Sequence, residues 1–177
     1  MHANHRPLLI PALCLLLTSV VAAADPQPLP EFTTTRAEHW FNSPPLSVHD
    51  LRGQVLLVDV WTYDCWNCYR SFPWLRDLEQ RYADRGLRVI GIHSPEFDHE
   101  RDADRVAAKI AEFELHHPVM MDNDFAYWRA LGNRYWPAYY LVDRRGRIRA
   151  SFVGETHAGD ARARQVEEQI RALLAES

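Results

Sequence analysis

Trp61-Thr62-Tyr63-Asp64-Cys65-Trp66-Asn67-Cys68-Tyr69-Arg70 sets two cysteines two residues apart. Thiols at that spacing can do three kinds of work. They can cycle between dithiol and disulfide, one thiolate attacking a foreign disulfide and the other resolving the mixed disulfide. They can supply two soft ligands to a zinc or copper site. They can close a structural loop, although so short a loop removes little unfolded-state entropy and makes a poor staple. The C-x-x-C-H signature of haem attachment is absent, because Tyr69 follows Cys68. A metal site would have to recruit His93, His99, His116 or His117. The His116-His117 pair precedes a strand and reads as surface.

The elements that position the cysteines follow from hydrophobic periodicity. Val55 to Trp61 is a nearly continuous apolar, β-branched run, the pattern of a strand buried on both faces. Leu75, Leu78 and Tyr82 recur at helical spacing before Gly86. The cysteines thus fall where a strand ends and a helix begins. Unpaired N–H groups and the helix dipole favour negative charge there, which predicts a nucleophilic Cys65 of lowered pKa. Cys68, one turn on, is placed to resolve.

Downstream, Leu87 to His93 reads as a second buried strand and Glu100 to Phe113 as a helix with Val106, Ile110 and Phe113 on one face. Pro118 to Met121 is a short strand, and Asp122 or Asn123 can cap a helix to about Leu131. Ala138 to Asp143 and Ile148 to Val153 form a hairpin across Arg144-Arg145-Gly146. Val166, Ile170, Leu173 and Leu174 mark a last amphipathic helix. Upstream, Ala37 to Asn42 suggests a short edge strand, Leu46 to Arg52 a turn into Gly53, and Asp25 to Pro30 an extended, exposed leader. Parallel strands with crossover helices, then an antiparallel pair, give an α/β fold with a mixed central sheet flanked by helices.

The N-terminus reads separately. His5 and Arg6 precede an apolar stretch from Leu8 to Val20, and Ala22-Ala23-Ala24 offers a cleavage site before Asp25. This order is that of a secretory signal peptide. The alternative is an uncleaved anchor from Pro7 to Ala24. Cys14 would leave with the peptide, since Leu13 before it does not suit lipoprotein processing. Cys65 and Cys68 would then stand alone in an export compartment where disulfides persist. The 177-residue chain suits one domain, and a formal net charge of -4 gives nucleic acid no basic face to bind.

The segment WTYDCWNC followed by Pro73 resembles the active-site stretch of thioredoxin-fold proteins. The closer likeness is to exported redoxins of the TlpA/ResA type, nearest the thioredoxin-like domain of DipZ proteins. It is carried by LRGQVLLVDVWTYDCWNC, VIGIHSPEF, HPVMMDNDFAYWRALGNRYWPAYYLVD and FVGE, in that order. The resemblance implies a thioredoxin fold with an N-terminal extension and an extra inserted helix. Residues 1–24 would be the signal peptide, 25–36 an extended leader and 37–177 the thioredoxin-like domain. It matches Asp59 to the buried acid, Trp61 to the tryptophan before the cysteines, Pro73 to the proline inside the active-site helix and Pro137 to a cis-proline facing the disulfide. Read from the residues alone, Pro137 only begins a strand.

Two departures stand out. Trp66-Asn67 replaces the Gly-Pro of thioredoxin, and Ser71 stands where ResA-type proteins carry a glutamate.

The expected activity is that of an exported, periplasmic thiol-disulfide oxidoreductase reducing protein disulfides. Cys65 attacks, Cys68 resolves and Asp59 handles protons, or is simply a hydrogen-bonded structural acid. Tyr63, Trp66 and Trp136 form an apolar collar that grips substrate, or else belong to the core. Glu96 is a second acid beside the site or an ordinary loop residue, and His93 is a satisfied core histidine. No cofactor beyond the Cys65–Cys68 disulfide and no metal are expected. Partners would be protein thiols and disulfides, with a membrane redox protein as electron donor. The alternative in another class is a metal-binding or metallochaperone module using Cys65, Cys68 and a histidine. A thiol peroxidase, which needs one peroxidatic cysteine in its own pocket, suits the paired cysteines poorly.

Overall fold

The computed structural model describes residues 26–176. The expected signal peptide or anchor, with Cys14, lies outside the described residues. In chain order the elements are β1 (Trp40–Phe41), β2 (Val55–Trp61), α1 (Trp66–Tyr82), β3 (Leu87–His93), α2 (Ala103–Glu112), β4 (Val119–Met121), α3 (Ala126–Leu131), β5 (Ala138–Val142), β6 (Ile148–Val153) and α4 (Ala161–Ala175). The six strands form one sheet ordered β1-β4-β3-β2-β5-β6. β2, β3 and β4 run parallel, while β1, β5 and β6 join antiparallel to their neighbours. This is the expected mixed sheet.

Alternation along β2 divides the core. Val55, Leu57 and Trp61 face α1, α2 and α4, packing against Leu75, Leu78, Val106, Ile110, Val166 and Ile170. Leu56, Val58 and Val60 face the other way, onto Tyr127 of α3 and the N-terminal segment. Asp59 lies between Leu57 and Trp61 in this alternation, so its carboxyl shares the α1 face.

Four local expectations are corrected. The leader is extended and exposed at Pro26, Gln27 and Pro28, but it is pinned to the sheet and buried at Leu29. Ile148 N donates to Gln27 O and Leu29 N to Gly146 O, both at 2.8 Å, while Leu29 and Phe32 are buried. Phe32 stacks on Tyr127 and meets Trp40 edge-on, each at 5.3 Å between centroids. The edge strand shrinks to Trp40–Phe41, because a 3-10 turn occupies Ala37–His39 and Asn42 is left-handed (φ 61°). Asn42 Nδ2 instead donates to the carbonyls of Leu115 and His117, at 2.9 Å each.

The helix expected from Glu100 starts at Ala103. Asp102 is extended there, and its carboxylate takes the N–H groups of Asp104 and Arg105, leaving Glu100 in a separate 3-10 turn. His117 is buried rather than on the surface, its ring lying 3.3 Å from Glu79, while His116 is exposed. Asp122 does cap α3, from four residues upstream: its oxygens accept from Tyr127 N and Trp128 N at 2.8 Å.

Gly91, opposite Asp59 on β3, lets these layers close. A Cβ there would meet Trp61 Nε1 and Val119 Cγ2 at 3.0 Å and His117 Nε2 at 3.2 Å. Gly91→Ala is expected to destabilise the oxidised protein by about 1–3 kcal/mol through overpacking. Urea unfolding measures this; an unchanged midpoint would show that the neighbours yield freely.

Candidate active site

Cys65 and Cys68 are joined in a disulfide, with Cα atoms 5.2 Å apart. Cys65 is the N-cap of α1, and its Sγ accepts from Cys68 N at 3.1 Å. A free N–H of the first helical turn therefore already points at the sulfur that would carry charge after reduction. The two thiols differ in access: Cys65 is partly exposed, Cys68 fully buried. Pro73 lies inside α1, where its missing N–H leaves the carbonyl of Tyr69 without the usual helical donor.

On the α1-facing side of β2 lies Asp59, 1% exposed. Among the described residues neither of its carboxylate oxygens has a hydrogen-bond partner. Burial alone pushes its pKa up to about 8. Tyr139, its cross-strand partner on β5, is buried too, and desolvation raises its hydroxyl well above the usual value. Ser71, at the place of the ResA-type glutamate, supplies no acid. Its hydroxyl donates to Asn67 O at 2.7 Å and accepts from Thr156 N at 2.9 Å, fastening the Gly154-Glu155-Thr156 loop to α1.

The expected collar divides. Trp66 is 66% exposed and stacks on Tyr69. Tyr63 is buried, stacks on His93 and donates from its hydroxyl to His99 O at 2.9 Å. Trp136 is half-buried against Trp128 and donates from Nε1 to Ser94 O at 3.0 Å. The Trp136–Pro137 bond is cis, as the resemblance implied. Phe97 and Tyr135 add exposed aromatic surface at the same end of the sheet. Glu96 is exposed on the loop after β3. His93 is fully buried, and desolvation lowers its pKa to about 4. Its Nε2 lies 3.4 Å from Thr62 Oγ1, while Nδ1 has no partner among the described residues.

Sequence reasoning missed Glu100, a fully buried acid that binds the turn leading into Cys65. The only available signal was an acid one turn beyond HSPEF, which reads as a helix start. Among the described residues, no three His, Cys, Asp or Glu side chains are grouped to hold a metal.

A mixed sheet with a cysteine pair at the cap of the helix after its central strand defines a thioredoxin-fold protein. The Redoxin family model matches residues 24–170, and the chain belongs to that family. It is 42% identical over 119 residues to Protein DipZ of Mycobacterium tuberculosis, covering 66% of this chain and 17% of that protein. Thiol-disulfide oxidoreductase YkuV of Bacillus subtilis is 28% identical over 151 residues, covering 85% of this chain and 97% of that one. A solution structure of a thioredoxin-like protein in the oxidised form superposes with a TM-score of 0.73 at 28% identity, covering 86% and 97% of the two chains. Against curated relatives of higher identity the chain spans only 12–18% of their length.

Two buried groups with large shifts, Asp59 and His93, move stability with pH in opposite senses. Asp59 keeps its proton to about 8 when folded but loses it near 3.8 when unfolded, so it stabilises the fold at low pH and that stability drains away as pH rises to about 8. His93, neutral in the fold down to about 4 and ordinary at 6.5 when unfolded, acts oppositely between those values. The slopes offset between about 4 and 6.5, and of the two groups only Asp59 acts from there to about 8. Unfolding free energy of the oxidised protein is expected to fall by about 1.4 kcal/mol per pH unit in that window. Asp59→Asn should flatten it, as urea titrations at several pH values will show.

Proposed function

We propose that the chain is a thiol-disulfide oxidoreductase whose Cys65–Cys68 pair exchanges with protein disulfides, working as a reductant. One observation carries this: the partly exposed Cys65 sulfur receives a helix N–H while its partner is buried beneath it. The relatives named thiol-disulfide oxidoreductases support it.

In the reducing direction the Cys65 thiolate attacks one sulfur of the substrate disulfide. The other substrate sulfur leaves as a thiolate and takes a proton. Cys68 then gives up its proton and attacks Cys65 Sγ, releasing the second substrate thiol. The protein ends as the disulfide, and an external dithiol returns its two electrons. Asp59 shares the α1 face with Cys68, and we assign it that proton: as carboxylate it accepts from Cys68, and as acid it protonates the Cys68 thiolate when the disulfide is reopened. The exposed rings of Trp66 and Tyr69 offer the apolar ground for a docking polypeptide, with Trp136, Pro137 and Tyr63 walling the site and Glu96 at its rim.

We place the protein outside the cytosol, in a periplasmic compartment, on the order of charged, apolar and small residues before Asp25. Cleavage would free the domain and retention would tether it. The resemblance to DipZ-type domains supports a membrane redox protein as donor. Metal binding through Cys65 and Cys68 would need a third converging ligand, and no such grouping exists among the described residues.

Cys65→Ser is expected to abolish dithiothreitol-driven insulin reduction, and Cys68→Ser to accumulate a mixed disulfide with the substrate. Retained turnover in Cys65→Ser would discard the assignment. Equilibration with dithiothreitol or glutathione should give a potential near about -270 mV; a value near about -120 mV would make the protein an oxidant.

A further inference from the structure

Glu100 is fully buried and absent from the exchange chemistry above. Four donors converge on it. Thr62 Oγ1 reaches Oε1 at 2.5 Å and Asp64 N at 3.0 Å, while Glu96 N and Phe97 N reach Oε2 at 2.6 and 2.7 Å. Only a carboxylate, with two oxygens and about four lone-pair sites, can take such a set. The first two donors belong to the turn that carries the chain from β2 to Cys65, and the last two to the loop after β3. Cys65 N closes the same turn on Thr62 O at 3.4 Å. Thr62 gives its single hydroxyl proton to Glu100, so His93 can meet it only as an Nε2–H donor, which leaves Nδ1 bare as observed.

We propose that Glu100 is a positioning residue for thiol-disulfide exchange: its carboxylate clamps the Thr62–Asp64 turn to the loop after β3 and so delivers Cys65 to the cap of α1. The inference rests on the oxidoreductase reading of the site. The clamp leaves Cys65 little freedom to drift from the Cys68 N–H. Without it the turn hangs from β2 with a desolvated hydroxyl and amide seeking new partners. A glutamine cannot replace it, because its amide nitrogen would oppose two of the four donors. The other charged or titratable groups around the turn are the Asp64–His99 pair, Arg105 and Lys109 of α2, His93 of β3 and Asp59 of β2. All stay in place in the variants below.

The test is the pH profile of Cys65 alkylation in the reduced full chain, read by mass for the wild type, Glu100→Gln and Thr62→Val. Both variants should move the midpoint upward and slow alkylation below it by about threefold to tenfold. The equilibrium with glutathione should shift by the same factor towards the disulfide, tenfold being about 30 mV. A role through charge alone predicts the opposite for Glu100→Gln, since losing a nearby anion favours the thiolate, and no change for Thr62→Val. Folded variants with unchanged or lowered midpoints, beside a wild type whose Cys65 ionises early, overturn the positioning role and leave the oxidoreductase reading intact. A wild-type Cys65 that ionises like free cysteine overturns both. If Glu100→Gln fails to fold, Thr62→Val decides alone.

Discussion

A sulfur that alternates between covalent bond and anion needs an environment that suits both, and here the first turn of α1 supplies it. The Cys68 N–H lies 3.1 Å from Cys65 Sγ in the disulfide, so the donor that would hold a thiolate is already aimed. Nothing has to reorganise at the moment of reaction, which is where a fixed dipole is worth most. The other arrangements serve this one. β2 brings the chain to the helix mouth, the turn from Thr62 to Asp64 sets the angle of arrival, and α1 packs its Leu75–Leu78 side into the core so that the cap cannot tilt.

The same geometry makes the two thiols unequal. Cys65 meets solvent, whereas Cys68 sits at 0% exposure in the core cluster that also holds Trp74 and Tyr139; these two and Asp59 carry polar atoms without partners among the described residues. Such atoms cost stability. Trp61, His93 and His117 carry such atoms too, but Asp59 is the acid among them, and a desolvated carboxyl is what the proton transfer proposed above would use. A hydrogen-bonded carboxylate would stabilise the fold, but only a desolvated one is held near neutrality.

Much of this could be seen in the sequence because it is encoded locally. Val55 to Trp61 and Leu87 to His93 announce buried strands by their runs of branched residues, and the cysteine pair falls between a strand and a helix by position alone. Other features depend on contacts between distant residues. Leu29 and Phe32 sit in a proline-rich stretch that looks like a free leader until β6 and Tyr127 receive it. His117 looks exposed beside His116 and Pro118, yet Gly91 in the neighbouring strand leaves the space that buries it. Glu100 carries no local pattern that separates a clamp from a helix start, because its partners at Thr62 and Asp64 lie 38 and 36 residues away. Asp102, two residues on, takes the capping role an eye for helix starts would give to Glu100.

The helix cap's hold on Cys65 shows in how the two sulfurs ionise once the disulfide is opened. Ultraviolet titration of thiolate absorbance in the reduced wild-type protein reads this directly. It should show one thiolate forming well below pH of about 8.5, the free-cysteine value, and the second only well above it. Two thiols ionising together at or above that value would contradict a helix cap that holds charge on Cys65.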